Sequence, residues 1–311
     1  MKKLLLLAVL CLGVRVCAQV SPFQKGDRVA FVGNSITDGG HYHSYIWLYY
    51  MTRFPERRMW MANKGIGGDQ ASDILYRMED DVLRWKPTVI TLSFGMNDTG
   101  YFEHNGDNAS AFADGKVQES RVNFLAIERL LKEKAPAARK VMVGSSPFDQ
   151  TACISSTIYR RKNDAMQRVV CFQDSAAKAN GWDFVDFNAP MTALNEQRQR
   201  ADSTFTLCGT DRIHPDNDGH MEMAAIFLEA QGLKGLPVAD VSIDAASCKV
   251  LKSERCRVGA LKVARDGVLS FTYHAESLPL PLDTISHGWG FSRSQSQVVD
   301  ALPDFIERFN N

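Results

Sequence analysis

The sequence predicts a three-layer α/β/α sandwich around a parallel β-sheet between residues 27 and about 235. Short apolar runs that end in Gly, Pro, Asn or Asp recur along this region, and stretches with one apolar face separate them. Buried parallel strands have this continuous apolar character. Strands that alternate with helices imply right-handed crossovers, which cover both faces of a sheet.

The predicted strands are rich in β-branched and aromatic residues. In chain order they are "RVAFVG" from Arg28, "TVITLSFG" from Thr88, "KVMVGSSP" from Lys140 and "WDFVDFN" from Trp182. Another strand is expected before the segment "NKGIGGDQASD", which begins at Asn63. Each run is short enough for a strand and is bounded by residues typical of turns.

The predicted helices are "ASDILYRMEDDVLRW", "VNFLAIERLLKEKA" and "YRRKNDAMQRVVCFQDSAAKA". The second of them places Phe124, Leu125, Ile127 and Leu131 on one broad face, with charged residues opposite. Such a face is expected to pack on the sheet.

The pattern changes after Gly235. The following residues are rich in strand-forming stretches, contain no long helical pattern, and include the hairpin turn signal Arg265-Asp266-Gly267. The last segment is predicted to be helical from Ser296, with Pro303 interrupting it or starting a new turn. We therefore divide the chain into a main domain at 19–235 and a small β-rich appendage with a closing C-terminal helix at 236–311.

Residues 1–18 have the features of a signal peptide. Lys2 and Lys3 precede an apolar run, and Val16-Cys17-Ala18 supplies a small-residue cleavage site. The run is shorter than the ~20 residues that a membrane-spanning helix needs. We expect an exported protein, periplasmic or extracellular after cleavage near Ala18, with no stable membrane insertion.

Composition narrows the possible partners and the cysteine chemistry. The 311 residues carry 36 basic and 36 acidic side chains, and no basic run indicates a nucleic-acid partner. Beyond residue 18 the cysteines are Cys153, Cys171, Cys208, Cys248 and Cys256, an odd number that argues against a fully paired framework. Cys248 and Cys256 can pair across a hairpin, and the other three are expected to be buried small hydrophobic residues.

Ser35 follows the first predicted strand through Gly33 and Asn34. Ligands of open parallel sheets bind beyond the carboxyl ends of the strands, so this serine stands where chemistry is expected. A serine nucleophile needs a base and an orienting acid, and "GTDRIHPDNDGH" supplies His214 and Asp211. Pro215 suits the first turn of the next helix. Taken singly, each of these residues is equally compatible with a polar turn or a helix cap.

Two further strand-end loops supply candidates for an oxyanion hole. "NKGIGGDQASD" contains Gly68 and "SFGMNDTG" contains Asn97, and both loops should open onto the same sheet edge as Ser35. Acyl transfer needs hydrogen-bond donors aimed at the developing oxyanion. The backbone N–H groups of Ser35 and Gly68 and the side-chain amide of Asn97 are suited to this role.

The sequence lacks the motifs of other glycine-rich sites and of metal sites. A phosphate-binding P-loop, a dinucleotide fingerprint and a G-x-S-x-G nucleophile elbow are all missing from the sequence. "HYH" at His41–His43 has no matching cluster of metal-binding residues, so no metal site is predicted and these residues are expected to line the pocket mouth.

The segments "GNSITDGG", "NKGIGGD", "GMND" and "DRIHP", in this order, resemble the four sequence blocks of the SGNH (GDSL-type) hydrolase superfamily. The residues that match are Ser35, Gly68, Asn97 and His214, with Asp211 as the acid. The resemblance covers about residues 27–232. It implies a flavodoxin-like sandwich and ester hydrolysis without a cofactor. The sequence departs from the family pattern at Asn34, where the best-known motif has aspartate.

Among members of this superfamily, the chain resembles exported carbohydrate O-acetylesterases. The resemblance implies an acylated carbohydrate or another small ester as substrate. Two alternatives stay open: a lipid-directed, lysophospholipase-like esterase, and a non-catalytic glycan-binding protein on the same fold. The aromatic side chains considered for stacking on sugar rings are Tyr42, Tyr101, Phe102 and Trp289.

Overall fold

Five parallel strands form the central sheet. The computed structural model describes residues 20–281 and 304–311. The strands are β1 (Arg28–Gly33), β2 (Trp60–Gly65), β3 (Val89–Phe94), β4 (Arg139–Gly144) and β5 (Asp183–Asp186). Their order across the sheet is β2-β1-β3-β4-β5. This order places a topological switch point beside the carboxyl end of β1, where ligands of such sheets bind.

The apolar side chains of β1 alternate between the two faces of the sheet. Val29 and Phe31 belong to one hydrophobic cluster, whereas Ala30 and Val32 belong to the other. A strand buried on both faces must be apolar at every position, which explains the continuous run "VAFV".

Helices cover both faces, so the predicted three-layer fold is confirmed. On the side of Phe31 lie α2 (His41–Arg53), α6 (Asn188–Gln199) and α7 (Asn217–Ala230). On the opposite side lie α3 (Ala71–Arg77), α4 (Ala109–Lys134) and α5 (Lys162–Asn180). A single turn, α1 (Ser35–Asp38), follows β1 directly.

Three details of the predicted helices differ from the structure. The segment that begins at Ala71 is α-helical only to Arg77, and then continues as a π-turn at Met78–Val82 and a 3₁₀ turn at Leu83–Trp85. Leu125 is exposed, although Phe124, Ile127 and Leu131 of the same helix are buried as predicted. Pro215 precedes the N-cap of α7, Asp216, and therefore stands outside the first helical turn.

Two antiparallel hairpins follow the sandwich, as the change in sequence pattern predicts. They pair β6 (Asp240–Asp244) with β7 (Lys249–Glu254) and β8 (Cys256–Val263) with β9 (Leu269–Ala275). Arg265-Asp266-Gly267 lies in the turn between β8 and β9, where Gly267 has φ +85°. The predicted turn is therefore present.

The described end of the chain returns to the sandwich. A short helix, α8 (Phe305–Phe309), buries Phe305 and Phe309 in the cluster that contains Phe31 and α7. Arg308 forms ion pairs with Glu222 and Glu229 of α7. The closing helix thus packs on the main α/β unit, and the division at residue 235 stays a prediction.

Some predictions concern residues outside the described ranges. These predictions are the signal peptide at 1–18, the aromatic residue Trp289 and the part of the C-terminal helix predicted at 296–303. Within 20–281 and 304–311, no helix is both long and apolar enough to cross a membrane. The five cysteines of the described residues, Cys153, Cys171, Cys208, Cys248 and Cys256, are free thiols, so Cys248 and Cys256 are not paired. Cys208 is buried as expected, but the prediction of burial is wrong for Cys153 and Cys171, which are exposed.

Candidate active site

Ser35 is the first residue of α1, immediately beyond the carboxyl end of β1. The preceding Asn34 is the N-cap of this turn, and its side-chain oxygen accepts a hydrogen bond from the Ile36 N–H at 3.0 Å. The cap satisfies one backbone donor at the start of the turn and fixes the chain around the serine. The serine hydroxyl is therefore presented at the switch point of the sheet.

His214 and Asp211 complete a chain of hydrogen bonds that begins at Ser35. His214 Nε2 lies 2.8 Å from Ser35 Oγ, and His214 Nδ1 lies 2.6 Å from Asp211 Oδ2. Ser35 and His214 are far apart in the sequence, and only the fold brings them together. The three side chains have the geometry of nucleophile, base and orienting acid.

The Asp211 carboxylate is held in its ionised form. Burial raises its pKa, but hydrogen bonds from the His214 ring and from the backbone N–H groups of His214 and Ile213 outweigh this effect and hold the pKa below its ordinary value. An ionised carboxylate beside Nδ1 favours the tautomer in which Nδ1 carries the proton.

Arg212, between the acid and the base, fixes the loop that carries both. Its backbone has φ +69°, in the left-handed region, and its side chain is fully buried. The guanidinium donates hydrogen bonds of 2.8–3.1 Å to backbone oxygens of a neighbouring loop, those of Asp149, Ala152, Ile154 and Ser156. These contacts offset the strain of the left-handed conformation and the burial of the charge.

Gly68 and Asn97 lie in the loops that follow β2 and β3. The Asn97 side-chain nitrogen donates a hydrogen bond of 3.0 Å to the backbone oxygen of Asp69, so the Asn97 amide is tied directly to the Gly68 loop. Gly68 has φ +88°, and a Cβ added there would meet open space. The left-handed backbone, rather than crowding, therefore explains the glycine.

The first two loops are also joined to each other. Ile66 N–H donates to the Gly33 oxygen at 3.1 Å, and the Arg77 side chain bonds the backbone oxygens of Gly33 and Lys64. Arg77 also forms an ion pair of 2.6 Å with Asp69. One guanidinium thus connects the carboxyl ends of β1 and β2 with the loop beside Gly68.

Sequence reasoning missed Arg77 and Arg212 as residues that support the site. Both act on backbone oxygens of distant segments, and no local residue pattern reports such contacts. Arg212 had one available signal, since it stands between Asp211 and His214 in "DRIHP".

The prediction that His41–His43 line the pocket mouth is wrong for His43 and its neighbour Tyr42. His43 is buried and stacks on Phe31, and Tyr42 is buried with its hydroxyl 3.1 Å from Thr37 Oγ1. Burial lowers the pKa of His43 to about 4, although a bond to the Thr37 oxygen opposes the effect. Tyr42 is therefore not available to stack on a sugar ring.

Tyr101 contacts the candidate site, and the rings of Tyr101 and Phe102 both pack against Tyr159. Tyr101 donates a hydrogen bond from its hydroxyl to Asn97 Oδ1. Phe102 is 75% exposed and packs edge-on against Tyr159, with ring centroids 5.4 Å apart. This aromatic rim is formed by Tyr101, Phe102 and Tyr159.

No group of three or more His, Cys, Asp or Glu side chains in residues 20–281 and 304–311 is arranged to hold a metal ion. The arrangement at Ser35 has the parts for covalent acyl transfer: a hydroxyl paired with an imidazole, an imidazole paired with a carboxylate, and nearby N–H donors.

Comparison with known proteins identifies a family and a curated relative. The sequence profile of the GDSL-like lipase/acylhydrolase family matches residues 31–221. An acetylxylan esterase from Geobacillus stearothermophilus is 24% identical over 235 residues, which cover 68% of this chain and 96% of the relative.

Two solved structures resemble the fold. A gut microbial diltiazem-metabolizing enzyme is 50% identical to this chain and superposes on it with a TM-score of 0.89. The match covers 94% of this chain but only 66% of that enzyme's chain, so this chain spans slightly less than two thirds of the enzyme's length. The acetylxylan esterase Axe2 from Geobacillus stearothermophilus is 22% identical with a TM-score of 0.54, and the match covers 67% of this chain and 95% of that chain. Other structures of Axe2 are of catalytic mutants in which a serine, an aspartate or a histidine is replaced by alanine.

Proposed function

Because this chain belongs to the GDSL-like lipase/acylhydrolase family and is a carboxylic ester hydrolase, we propose that it removes acetyl groups from carbohydrate esters, with Ser35 as the nucleophile. The observation that carries the proposal is the unbroken hydrogen-bond chain from Ser35 Oγ through His214 to Asp211. The Axe2 catalytic mutants offer support, since that aspartate precedes that histidine by three residues, as Asp211 precedes His214.

In the acylation step, His214 Nε2 accepts the Ser35 hydroxyl proton while Oγ attacks the ester carbonyl carbon. Asp211 keeps the imidazole oriented and stabilises its charged form. The tetrahedral intermediate collapses as the imidazolium gives its proton to the departing sugar oxygen. The acetyl group is then bonded to Ser35 Oγ.

In the deacylation step, a water molecule takes the place of the departed alcohol. His214 Nε2 accepts a proton from the water as its oxygen attacks the acetyl carbonyl. The second tetrahedral intermediate collapses as the imidazolium gives this proton to Ser35 Oγ, and acetic acid leaves and ionises to acetate. The reaction uses water alone as co-reactant.

Both intermediates carry a negative oxygen, for which we assign three donors: the backbone N–H groups of Ser35 and Gly68 and the Asn97 amide. Asn97 Nδ2 carries two N–H groups: one donates a hydrogen bond to the Asp69 backbone oxygen, and we assign the second to the oxyanion. Removal of one such donor typically lowers kcat about 10²- to 10³-fold.

The acetylxylan esterase relative supports acetylated sugars as the substrate class. The aromatic rim of Tyr101, Phe102 and Tyr159 supports a second candidate, esters of larger aromatic alcohols. The diltiazem-metabolizing enzyme, which is 50% identical to this chain, also supports a substrate other than a sugar.

A substrate panel tests the proposal. The purified protein is incubated separately with acetylated xylooligosaccharides, diltiazem, a long-chain acyl ester and a lysophospholipid. The products are identified by mass spectrometry. We expect acetate release from the sugars, and a loss of at least about 10³-fold in the Ser35→Ala variant. Faster turnover of the lipid would instead favour a lipid-directed esterase. A protein that turns over none of the esters but binds the sugars would be a glycan-binding protein.

We also propose that the enzyme is exported after removal of residues 1–18. The motivation is the charged start and apolar run of this segment. N-terminal sequencing of protein recovered from the natural host should begin near Gln19. A mature protein that retains Met1 would contradict export by this route.

A further inference from the structure

Lys162 is buried beneath the loop that carries Asn97. It is the first residue of α5, and its side chain is fully shielded from solvent. Its Nζ donates hydrogen bonds to the backbone oxygens of Met96 and Gly100, both at 2.6 Å, and to Thr99 Oγ1 at 2.9 Å. All three acceptors belong to the 95–101 loop, so one side chain holds this loop at three points.

This is an unfavourable place for a lysine. Its hydrogen-bond acceptors are uncharged oxygens, and the N-terminus of a helix disfavours a positive charge. Burial lowers the pKa of Lys162 to about 7, although the charges of Asp98 and Glu103 oppose the effect. The lost solvation has to be offset by the contacts with the loop.

Lys162 also contacts the residue that orients the Asn97 amide. Nζ lies 4.0 Å from the centre of the Tyr101 ring, within the range of a cation–π interaction. The Tyr101 hydroxyl donates to Asn97 Oδ1, and Asn97 Nδ2 donates to the Asp69 oxygen. Both ends of the Asn97 amide are therefore fixed, one of them by a ring that packs on Lys162.

A buried carboxylate, that of Asp98, connects the same loop to two other helices. Asp98 accepts hydrogen bonds from the Gly95 N–H at 2.9 Å, from the Ala71 N–H of α3 at 3.0 Å and from Ser120 Oγ of α4 at 2.8 Å. The loop is thus anchored to α3 and α4 through Asp98 and to α5 through Lys162.

We propose that Lys162 and Tyr101 are positioning residues for the oxyanion hole, which hold the Asn97 amide in the orientation that donates to the transition state. The proposal rests on the assignment of Asn97 as an oxyanion donor. Neither residue takes part in proton or group transfer. Their contribution is preorganisation, so it acts on kcat more than on KM.

A double-mutant cycle tests this role. Lys162→Met keeps a long apolar side chain but removes the donors, and Tyr101→Phe keeps the ring but removes the bond to Asn97. Each is measured alone and combined with Asn97→Ala, and kcat is normalised to the fraction of sites that react with a fluorophosphonate. We expect Lys162→Met to lower kcat about tenfold or more, and Tyr101→Phe to lower it less, with KM nearly unchanged.

In the Asn97→Ala background both substitutions should have little further effect, because the amide that they position is gone. Equal losses of kcat in both backgrounds, or no loss in either single variant, would overturn the positioning role. If Lys162→Met does not fold, Tyr101→Phe decides the question by the same comparison. A different failure, in which Asn97→Ala itself keeps full activity, would refute the oxyanion assignment on which the proposal rests.

Discussion

Asn34 stands directly before Ser35, at the position where the family's best-known motif has aspartate. The structure gives this side chain a local role, because its oxygen accepts the Ile36 N–H and caps the turn that begins at Ser35. Asparagine and aspartate are about equally good N-caps. The exchange between them therefore preserves the hydrogen bond that presents the serine.

We expect Asn34→Asp to retain activity within a few-fold of the wild type. Asn34→Ala should lower the free energy of unfolding by about 1 kcal/mol and lower kcat more than Asn34→Asp does. The alanine variant leaves the Ile36 N–H without its cap. Urea unfolding and ester hydrolysis measure the two effects. Equal activity of the alanine and aspartate variants would show that the cap does not position Ser35.

The site residues that the sequence could predict are those in the four short blocks. Each of these residues follows a strand end or precedes a helix, and the blocks that contain them occur in the order typical of the family. They are Ser35, Gly68, Asn97, Asp211 and His214. Lys162 and Arg77 could not be predicted in this way. They act on backbone oxygens of other segments, and only the packing of helices on the sheet brings them there.

The turn α1 packs against the end of β2 at Gly65. A Cβ added to Gly65 would lie 2.2 Å from the Asp38 nitrogen and 2.7 Å from the Thr37 carbonyl carbon. Both are backbone atoms, which cannot rotate away. Gly65 therefore allows the turn that carries Ser35 to approach the sheet closely.

Gly65→Ala should displace α1 and lower kcat at least tenfold, because small misplacements of a nucleophile reduce rates strongly. Gly67→Ala is the matched control, since its Cβ would be 3.7 Å from Asp38 Oδ2, an ordinary contact. Steady-state kinetics of the two variants test the expectation. A Gly65→Ala enzyme as active as Gly67→Ala would contradict it.

The attachment of α8 depends on a buried ion pair. Arg308 Nη1 lies 3.3 Å from Glu222 Oε2, and both side chains are nearly inaccessible to solvent. Burial raises the pKa of Glu222 to about 7, and Arg308 opposes this rise. Removing the arginine leaves a buried carboxylate without its cation.

Arg308→Met should therefore lower the free energy of unfolding by about 3 kcal/mol at pH 8. Without Arg308 the pKa of Glu222 rises above its value of about 7, so protonation relieves part of the loss as pH falls toward 7, and the variant is closer to wild type at pH 5. Adding Glu222→Gln should restore stability at pH 8. Denaturant unfolding at both pH values measures this. A loss that is independent of pH would count against the lone carboxylate as its cause.

Secondary structure was predictable where burial leaves a simple pattern. β1 was predicted at its observed bounds because every position between the two helix layers must be apolar. β2 was not delimited, since it is an edge strand with the polar sequence "WMANKG". The first half of α4 was also missed, because "ASAFADGKVQES" has few apolar residues and is held by tertiary contacts of Val117 and Ser120.

Buried histidines couple the stability of the folded protein to pH. Burial lowers the pKa of His43 to about 4 and that of His220 well below its usual range, so the fold favours their neutral forms. A group whose folded-state pKa is depressed contributes stability above its unfolded pKa, about 6.5 for histidine, and this contribution is lost as pH falls toward the folded pKa.

We expect the stability of the wild type to fall between pH 6.5 and pH 4, with His43 contributing about 1.4 kcal/mol per pH unit in this window. His43→Gln retains a donor for the Thr37 oxygen but does not titrate. Between pH 6.5 and pH 4, the free energy of unfolding of this variant should therefore fall by about 1.4 kcal/mol less per pH unit than that of the wild type. Urea denaturation at a series of pH values measures both slopes. Parallel curves for the two proteins would exclude His43 as a source of acid sensitivity.

If Ser35 is the nucleophile, a fluorophosphonate should modify this residue covalently, and mass mapping of the adduct locates the modified residue. The protein is treated with a fluorophosphonate, digested, and analysed by tandem mass spectrometry, with Ser35→Ala as the control. We expect one stoichiometric adduct on the peptide that contains Ser35 and none in the variant. An adduct on another residue of the wild type, or equal labelling of the Ser35→Ala protein, would contradict it.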